Sequence, residues 1–192
     1  MRCYRRACAT LCVMGTSLLI IGGACAACAG IATPVPASTA VITPTLTIIS
    51  SAELVEPGIV SSAHVEMRLA PSPDGNTLLW GSTDRAGCPE GWDIWCTRRV
   101  GTTWSAPVPV AFNSAANDFD PAFSADGRWV YFFSNRAGGL GGDDIYRAPV
   151  TAEGFGAAQH LGPEINTAGD EWAPSPSPDG ARLMFVSNRP GA

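Results

Sequence analysis

The sequence contains no lysine, so arginine supplies all twelve of its positive charges. Charged residues make up only 15% of the 192 residues, and no acidic residue precedes Glu53. Three arginines lie within the first six residues, so the rest of the chain carries nine arginines against seventeen acidic residues. An acidic chain without a basic stripe is a poor candidate for binding nucleic acid or anionic membrane surfaces. We therefore expect neither partner.

Charge is also absent from residues 7–29, whose centre is the apolar run 18–21. Arginines before such a run and small residues after it are typical of a secretory signal, so residues 1–29 predict export to the periplasm or cell surface. Alanine precedes both Cys25 and Cys28, and the segment resembles a lipoprotein signal, in which such a cysteine is lipidated. Cleavage without lipidation and retention as an uncleaved anchor stay open, because the uncharged run is long enough to span a bilayer.

Residues 30–60 are rich in threonine, proline and alanine. Prolines at this density favour extended backbone and cannot donate hydrogen bonds to a sheet. The segment predicts a linker between the membrane and a folded domain. An edge strand over residues 46–49 is the alternative.

From residue 61 onward the sequence repeats with a period of 52–53 residues. An Asp-Gly pair occurs three times, and a serine lies eight residues after each of its aspartates and begins a Ser-x-x-Arg or Ser-Asn-Arg element. An Asp-Ile-aromatic triplet occurs twice, and an acidic residue precedes each Asp-Gly pair at a constant distance. The repeated positions include Asp74-Gly75, Asp126-Gly127 and Asp179-Gly180; Arg85, Arg136 and Arg189; Asp93 and Asp144; and Glu66, Asp118 and Glu171. Such a regular spacing indicates a repeat architecture.

Each repeat predicts four short strands. Residues 129–133 and 183–186 are apolar and aromatic runs that follow an Asp-Gly pair, whose glycine can supply the positive φ of a tight turn. Further strands are expected around Ile145 and through residues 159–161. Four strands in about 52 residues make one blade of a β-propeller. The sequence therefore predicts an all-β fold, an incomplete β-propeller of four-stranded blades over residues 61–192.

The order Pro-Ser-Pro-Asp-Gly, apolar strand, Ser-Asn-Arg, glycine-rich turn and Asp-Ile-Tyr resembles the WD40-like β-propeller repeats of the Tol-associated, TolB-like periplasmic type. The resemblance covers roughly residue 61 to the C-terminus. It implies an exported propeller that serves as a binding platform or as one part of a larger protein. It does not imply a reaction.

Two full periods and half of a third are present. A propeller usually closes with 4–8 blades, so we expect either a truncated piece of a longer propeller or several chains that complete one ring. Unpaired strand edges favour self-association.

The repeated charged residues fit either a ring of ligand contacts or the internal structure of each blade. Recurrence in every blade favours the structural role, which we assign to Asp74, Gly75, Arg85, Asp93, Asp126, Gly127, Arg136, Asp144, Asp179, Gly180 and Arg189. The glycine-rich residues 138–144 offer only two carboxylates and lack the lysine of a phosphate loop, which favours a plain connection over a calcium or phosphate site. The sequence has two histidines and neither a Gly-x-Ser-x-Gly nor a His-Glu-x-x-His pattern. We therefore expect no catalytic residue, metal or cofactor.

Cys88 and Cys96 are the only cysteines after residue 28. An even pair in an oxidising compartment predicts a disulfide. The pair flanks the stretch in which the first repeat departs from the other two. Seven extended residues would hold the two cysteines too far apart, so the bond requires the chain to fold back near Gly91. Two unpaired thiols are the alternative.

Two functions are consistent with these observations. One is a non-catalytic, exported propeller module that binds a protein or peptide or acts as a scaffold. The other is the N-terminal propeller portion of a larger extracytoplasmic hydrolase, whose catalytic residues would follow residue 192.

Overall fold

The computed structural model describes residues 53–83 and 91–191, which form turns and antiparallel strands and contain no helix. The strands of these residues are β1 (Glu66–Pro71), β2 (Thr77–Thr83), β3 (Trp92–Val100), β4 (Thr103–Trp104), β5 (Val108–Pro109), β6 (Asp118–Phe123), β7 (Trp129–Ser134), β8 (Asp144–Thr151), β9 (Gly154–Phe155), β10 (Gln159–His160), β11 (Glu171–Pro176) and β12 (Leu183–Ser187).

These strands form two complete blades and half of a third. In the first blade β1, β2, β3 and β5 pair in sequence order, and the short β4 extends β3 as a hairpin. In the second blade β6, β7, β8 and β10 repeat that order, with β9 in the place of β4. The third blade contains β11 and β12. The predicted all-β fold, an incomplete propeller of four-stranded blades, is confirmed.

The Asp-Gly pairs lie in the turn between the first two strands of each blade. In the first blade the N–H of Gly75 donates to the carbonyl of Ser72 at 2.9 Å, and Gly75 has a φ of 70°. Gly127 and Gly180 have a φ of 69°. This is the left-handed region, which costs glycine little because it has no Cβ. Ser72 and Thr77 close the turn, since the N–H of Ser72 donates to the carbonyl of Thr77 at 2.8 Å.

Successive side chains of a strand point to opposite faces of the sheet, so each blade has two faces. We call the face turned toward the preceding blade the leading face and the opposite one the trailing face. Val130 and Phe132 on the leading face of the second blade are fully buried against Leu79, Ile94 and Cys96 of the first blade. A second cluster covers the leading face of the first blade and comprises Val60, Leu78, Trp80 and Trp95.

The blade junctions are closed by asparagine side chains and by glycines. The side chain of Asn166 accepts from the N–H of Ile145 at 2.7 Å and donates to its carbonyl at 2.9 Å, and Asn113 makes the same pair of bonds to Ile94. The glycine-rich connection before β8 packs on the next blade. A Cβ at Gly141 would collide with the carbonyl oxygen of Gly169. The glycines therefore permit a close backbone approach between two blades.

Several sequence predictions fall outside the described residues: the signal over residues 1–29, the linker up to residue 52, the lipidation candidates Cys25 and Cys28, and Arg85 and Cys88. The described residues belong to one structural unit, residues 49–192. No helix within residues 53–83 and 91–191 is long and apolar enough to cross a bilayer.

Candidate functional site

The innermost strand of each blade contains a β-bulge at the same position of the repeat. The pairing register shifts between Met67 and Ala70 in β1, and β6 and β11 show the matching shift. The bulge residues Arg68, Asp120 and Ala173 have φ values of 53°, 49° and 50°. A left-handed conformation costs a residue with a Cβ roughly 1 kcal/mol or more. The fold imposes this conformation three times, so the bulge belongs to the blade architecture.

The three bulges lie where the inner strands converge, because β6 contacts both β1 and β11. The guanidinium of Arg68 in the first blade donates to the carbonyl of Pro174 in the third blade at 3.1 Å. We call Arg68, Asp120 and Ala173 the axial row. Its backbone conformation repeats, whereas its side chains are a cation, an anion and a methyl group. In the axial row the backbone conformation is therefore constant, while the side-chain chemistry differs from blade to blade.

Two opposite charges dominate the electrostatics of the axial row. Burial raises the pKa of Asp120, and the positive charge of Arg68 opposes that shift. Arg68 is exposed, while Asp120 is half-buried. A guanidinium offers a fork of donors and a carboxylate offers acceptors, so the pair can form charge-assisted hydrogen bonds to a bound peptide.

The aspartates of the Asp-Gly turns bind their own turns. The hydroxyl of Ser124 donates to Asp126 at 2.6 Å, and this bond, together with bonds from the N–H and side chain of Arg128, lowers the pKa of Asp126 to about 2. Serine hydroxyls and turn N–H groups likewise lower the pKa of Asp74 and of Asp179. Each of these carboxylates accepts from the N–H two residues later, as in an Asx turn.

The arginine of each described Ser-Asn-Arg element binds a buried carboxylate in its own blade. Arg136 forms an ion pair with Asp118, whose side chain is 0% exposed, and also donates to the carbonyl of Phe112 at 3.0 Å. Arg189 forms an ion pair with Glu171 at 3.1 Å, and the side chain of Glu171 is likewise 0% exposed. The asparagines between serine and arginine accept backbone N–H bonds at 2.8 and 2.7 Å, from Asn117 to Asn135 and from Asp170 to Asn188.

Asp144 is the first residue of the third strand of its blade, and Asp93 is the second residue of β3. One carboxylate oxygen of Asp144 accepts from the N–H groups of Leu140 and Gly141 at 2.8 and 3.2 Å, and the other lies 3.6 Å from Nε2 of His160. Asp93 lies in β3 opposite Ser82. Across the described part of the chain, no three histidine, cysteine or acidic side chains are grouped as a metal site would require.

Cys96 is buried in β3, and burial raises the pKa of its thiol. It lies opposite Leu79 on one side and Val108 on the other. Because Cys88 is outside the described residues, the Cys88–Cys96 disulfide stays a prediction.

The Glu171 network predicts a dependence of stability on acid. Burial raises the pKa of Glu171, but hydrogen bonds from Thr167 and Ser187 and the charge of Arg189 outweigh it and lower the pKa below its ordinary value of 4.5. A group whose pKa is lower in the folded state stabilises the fold above its unfolded pKa and loses that contribution as pH falls. We expect Glu171→Gln to flatten the loss of stability below about pH 5, measured by urea unfolding at several pH values. An unchanged pH slope would contradict this network.

Reasoning from the sequence noted the recurrent acids Glu66, Asp118 and Glu171 but did not pair them with the arginines. Their equal spacing from the Ser-Asn-Arg element is the signal that could have paired them. The axial row was missed altogether. Its sequence trace is the column two residues after the recurrent acid, which holds arginine, aspartate and alanine in turn.

No family model matches the chain. It is 36% identical over 67 residues to an uncharacterized protein of Agrobacterium fabrum (strain C58), a match that covers 35% of this chain and 20% of that protein. Among solved structures it is similar to a protein described as a putative TolB from Agrobacterium tumefaciens, with a TM-score of 0.48 and 23% identity over 68% of this chain and 40% of that one. It is also similar to TolB from Acinetobacter baumannii, with a TM-score of 0.48 and 18% identity over 66% of this chain and 27% of that one. The chain thus spans a fifth of the curated relative and less than half of either structure.

Proposed function

We propose that this chain is an exported, non-catalytic propeller module that binds a protein or peptide ligand through the axial row and so acts as a scaffold. The observation that carries the proposal is the threefold bulge, which holds Arg68, Asp120 and Ala173 on a constant backbone. The repeat explains the constant backbone of the axial row, and the differing side chains of the row provide specificity for the ligand. A ligand that offers backbone carbonyl groups suits the axial row, because Arg68 already donates to the backbone carbonyl of Pro174.

The proposal includes export through residues 1–29 to the periplasm or cell surface, with Cys25 or Cys28 as the point of lipid attachment. It also includes self-association of the chain.

A photo-crosslinking experiment tests ligand binding at the axial row. p-Benzoylphenylalanine at position 68 is expected to give a discrete protein adduct in the producing cell. The same group at position 182, an exposed arginine beside an Asp-Gly turn, is the control and should give none. The adduct partner is then identified by mass spectrometry and purified. Equal adducts from both positions would refute the axial row as the binding surface.

Affinity for the purified partner supplies the second readout. Arg68→Glu is expected to weaken binding at least about tenfold, since loss of one charge-assisted contact at an interface is worth roughly 2 kcal/mol or more. The matched charge reversal Arg182→Glu should leave the dissociation constant within about twofold. Calorimetric titration distinguishes the two. An Arg68→Glu variant that binds with unchanged affinity would contradict the proposal.

A further inference from the structure

The residues just before the first blade form a closed turn. The N–H of Val60 donates to the carbonyl of Glu56 at 3.0 Å, and the N–H of Ser61 donates to that of Val55 at 3.0 Å. Glu56 and Gly58 have positive φ values of 42° and 81°. We call residues Val55–Ser61 the cap. The sequence predicted a linker up to residue 60, yet this part of it has a defined hydrogen-bonded shape.

The cap covers the leading face of the first blade. Val60 is only 4% exposed and packs with Leu78, Trp80 and Trp95, and Ile59 and Trp104 pack around the same cluster. Trp80, in the middle of this face, is 0% exposed. Two tryptophans and a leucine on an uncovered sheet face would form a large apolar patch, which folded proteins rarely expose.

In the second blade the same face is covered by another blade. Phe132 occupies the repeat position of Trp80, and Val130 that of Leu78. Both are 0% exposed because the trailing face of the first blade packs on them. The cap and a preceding blade are therefore alternative covers for equivalent surfaces.

We propose that the cap takes the place of a preceding blade and makes the first blade a terminal unit of the array. Repeat arrays need such terminal units, because an end repeat otherwise leaves its interface open. A blade from another copy, or a last blade closing a ring, reaches this face only when the cap leaves it.

The cap does not fill the whole face. A cavity of about 170 Å³ remains between the cap and the inner strand, and Val55, Val60, Met67, Leu69 and Trp80 contribute to its walls. The cap therefore packs tightly on β2 and β3 and loosely toward β1. Among the cap residues, Val60 makes the main apolar contact with the face.

Hydrogen–deuterium exchange on the full chain tests the cap, with Val60→Ser as the variant and Val55→Ser as the matched control. Val55 is the same residue type in the same segment and is 43% exposed. Val60→Ser is expected to speed exchange in β2 and β3 at least about tenfold, with β7 and β8 unchanged. Val55→Ser trims a cavity wall but leaves Val60 in place, so it should speed exchange in β2 and β3 by less than about twofold and leave β7 and β8 unchanged. Val60→Ala, a milder truncation, replaces Val60→Ser if that variant does not fold.

Two results would overturn the proposal. Unchanged exchange in β2 and β3 would show that the segment does not cover the face. An equal increase in all four strands would show one undivided core and no separable cap. Light scattering provides the second expected readout, since the bared face of the Val60→Ser chain should raise its association above that of the Val55→Ser chain.

Discussion

Replacing Arg136 with methionine is expected to lower the free energy of unfolding by about 3–5 kcal/mol, because it leaves a buried charge without its partner. Asp118 is 0% exposed and would keep only the bonds from the N–H and hydroxyl of Ser114, at 2.6 and 2.9 Å. Methionine retains an apolar stem against the rings of Phe132 and Tyr146, which lie 5.2 and 4.9 Å from the guanidinium carbon. Urea unfolding of the full chain measures the difference.

The control for this substitution is Arg128→Met. Arg128 also pairs with an aspartate, Asp126, at 2.6 Å, but the two side chains are 79% and 45% exposed. Solvent screens such an exposed pair, so a much smaller loss than for Arg136→Met is expected. Equal losses for the two variants would contradict the structural role of the Ser-Asn-Arg element. Arg136→Lys, which keeps the charge but not the fork of donors, replaces Arg136→Met if the latter does not fold.

Replacing Gly141 with alanine is expected to destabilise the fold by about 1–3 kcal/mol or more, the usual range for overpacking. The new Cβ would collide with the carbonyl oxygen of Gly169 and lie 2.8 Å from that of Thr167. Both obstacles are backbone atoms, so neither can move away as a flexible side chain would. The second and third blades must then separate locally. A lower melting temperature in calorimetry and faster hydrogen exchange in residues 138–144 report this separation.

Gly81→Ala is the control for that substitution. Gly81 lies in β2, and a Cβ there would meet the carbonyl oxygen of Met67 at 3.7 Å and a ring carbon of Trp92 at 3.9 Å, which are ordinary contacts. A change of less than about 1 kcal/mol is expected. A Gly141→Ala chain as stable as the Gly81→Ala chain would show that the glycine-rich connection is not packed on the next blade.

The blade fold could be predicted from the sequence because its determinants are local and repeated. Alternating apolar residues, Asp-Gly turns and a constant period specify strand, turn and order within each 52-residue unit. The strands at Trp129, Leu183 and Gln159 follow from those patterns alone. They involve only neighbours in the chain and their repeat copies.

The candidate site could not be predicted in the same way. Residue type does not indicate that Arg68 and Asp120 adopt the left-handed backbone conformation, because the fold forces that conformation against their local preference. Val60 precedes β2 in the sequence and Trp95 follows it, so no local pattern links these two residues of one cluster. Nothing in the composition of residues 30–60 indicates that Val60 packs on a sheet face. Nothing in the sequence distinguishes the carboxylates of Asp118 and Glu171, which are buried, from the exposed carboxylates of the Asp-Gly turns.

The hydrogen bond from Arg136 to the carbonyl of Phe112 also indicates where a repeat unit must begin if it is to keep all the bonds of its arginine. All the acceptors of Arg136 lie between Phe112 and Ser134, and those of Arg189 lie between Ile165 and Ser187. A cassette that starts at Phe112 or Ile165 therefore carries its arginine together with every partner of that arginine. A cassette cut at the first residue of β6 would leave the Phe112 carbonyl behind. A unit that is to be grafted with its arginine network intact thus starts in the connection before the first strand of a blade.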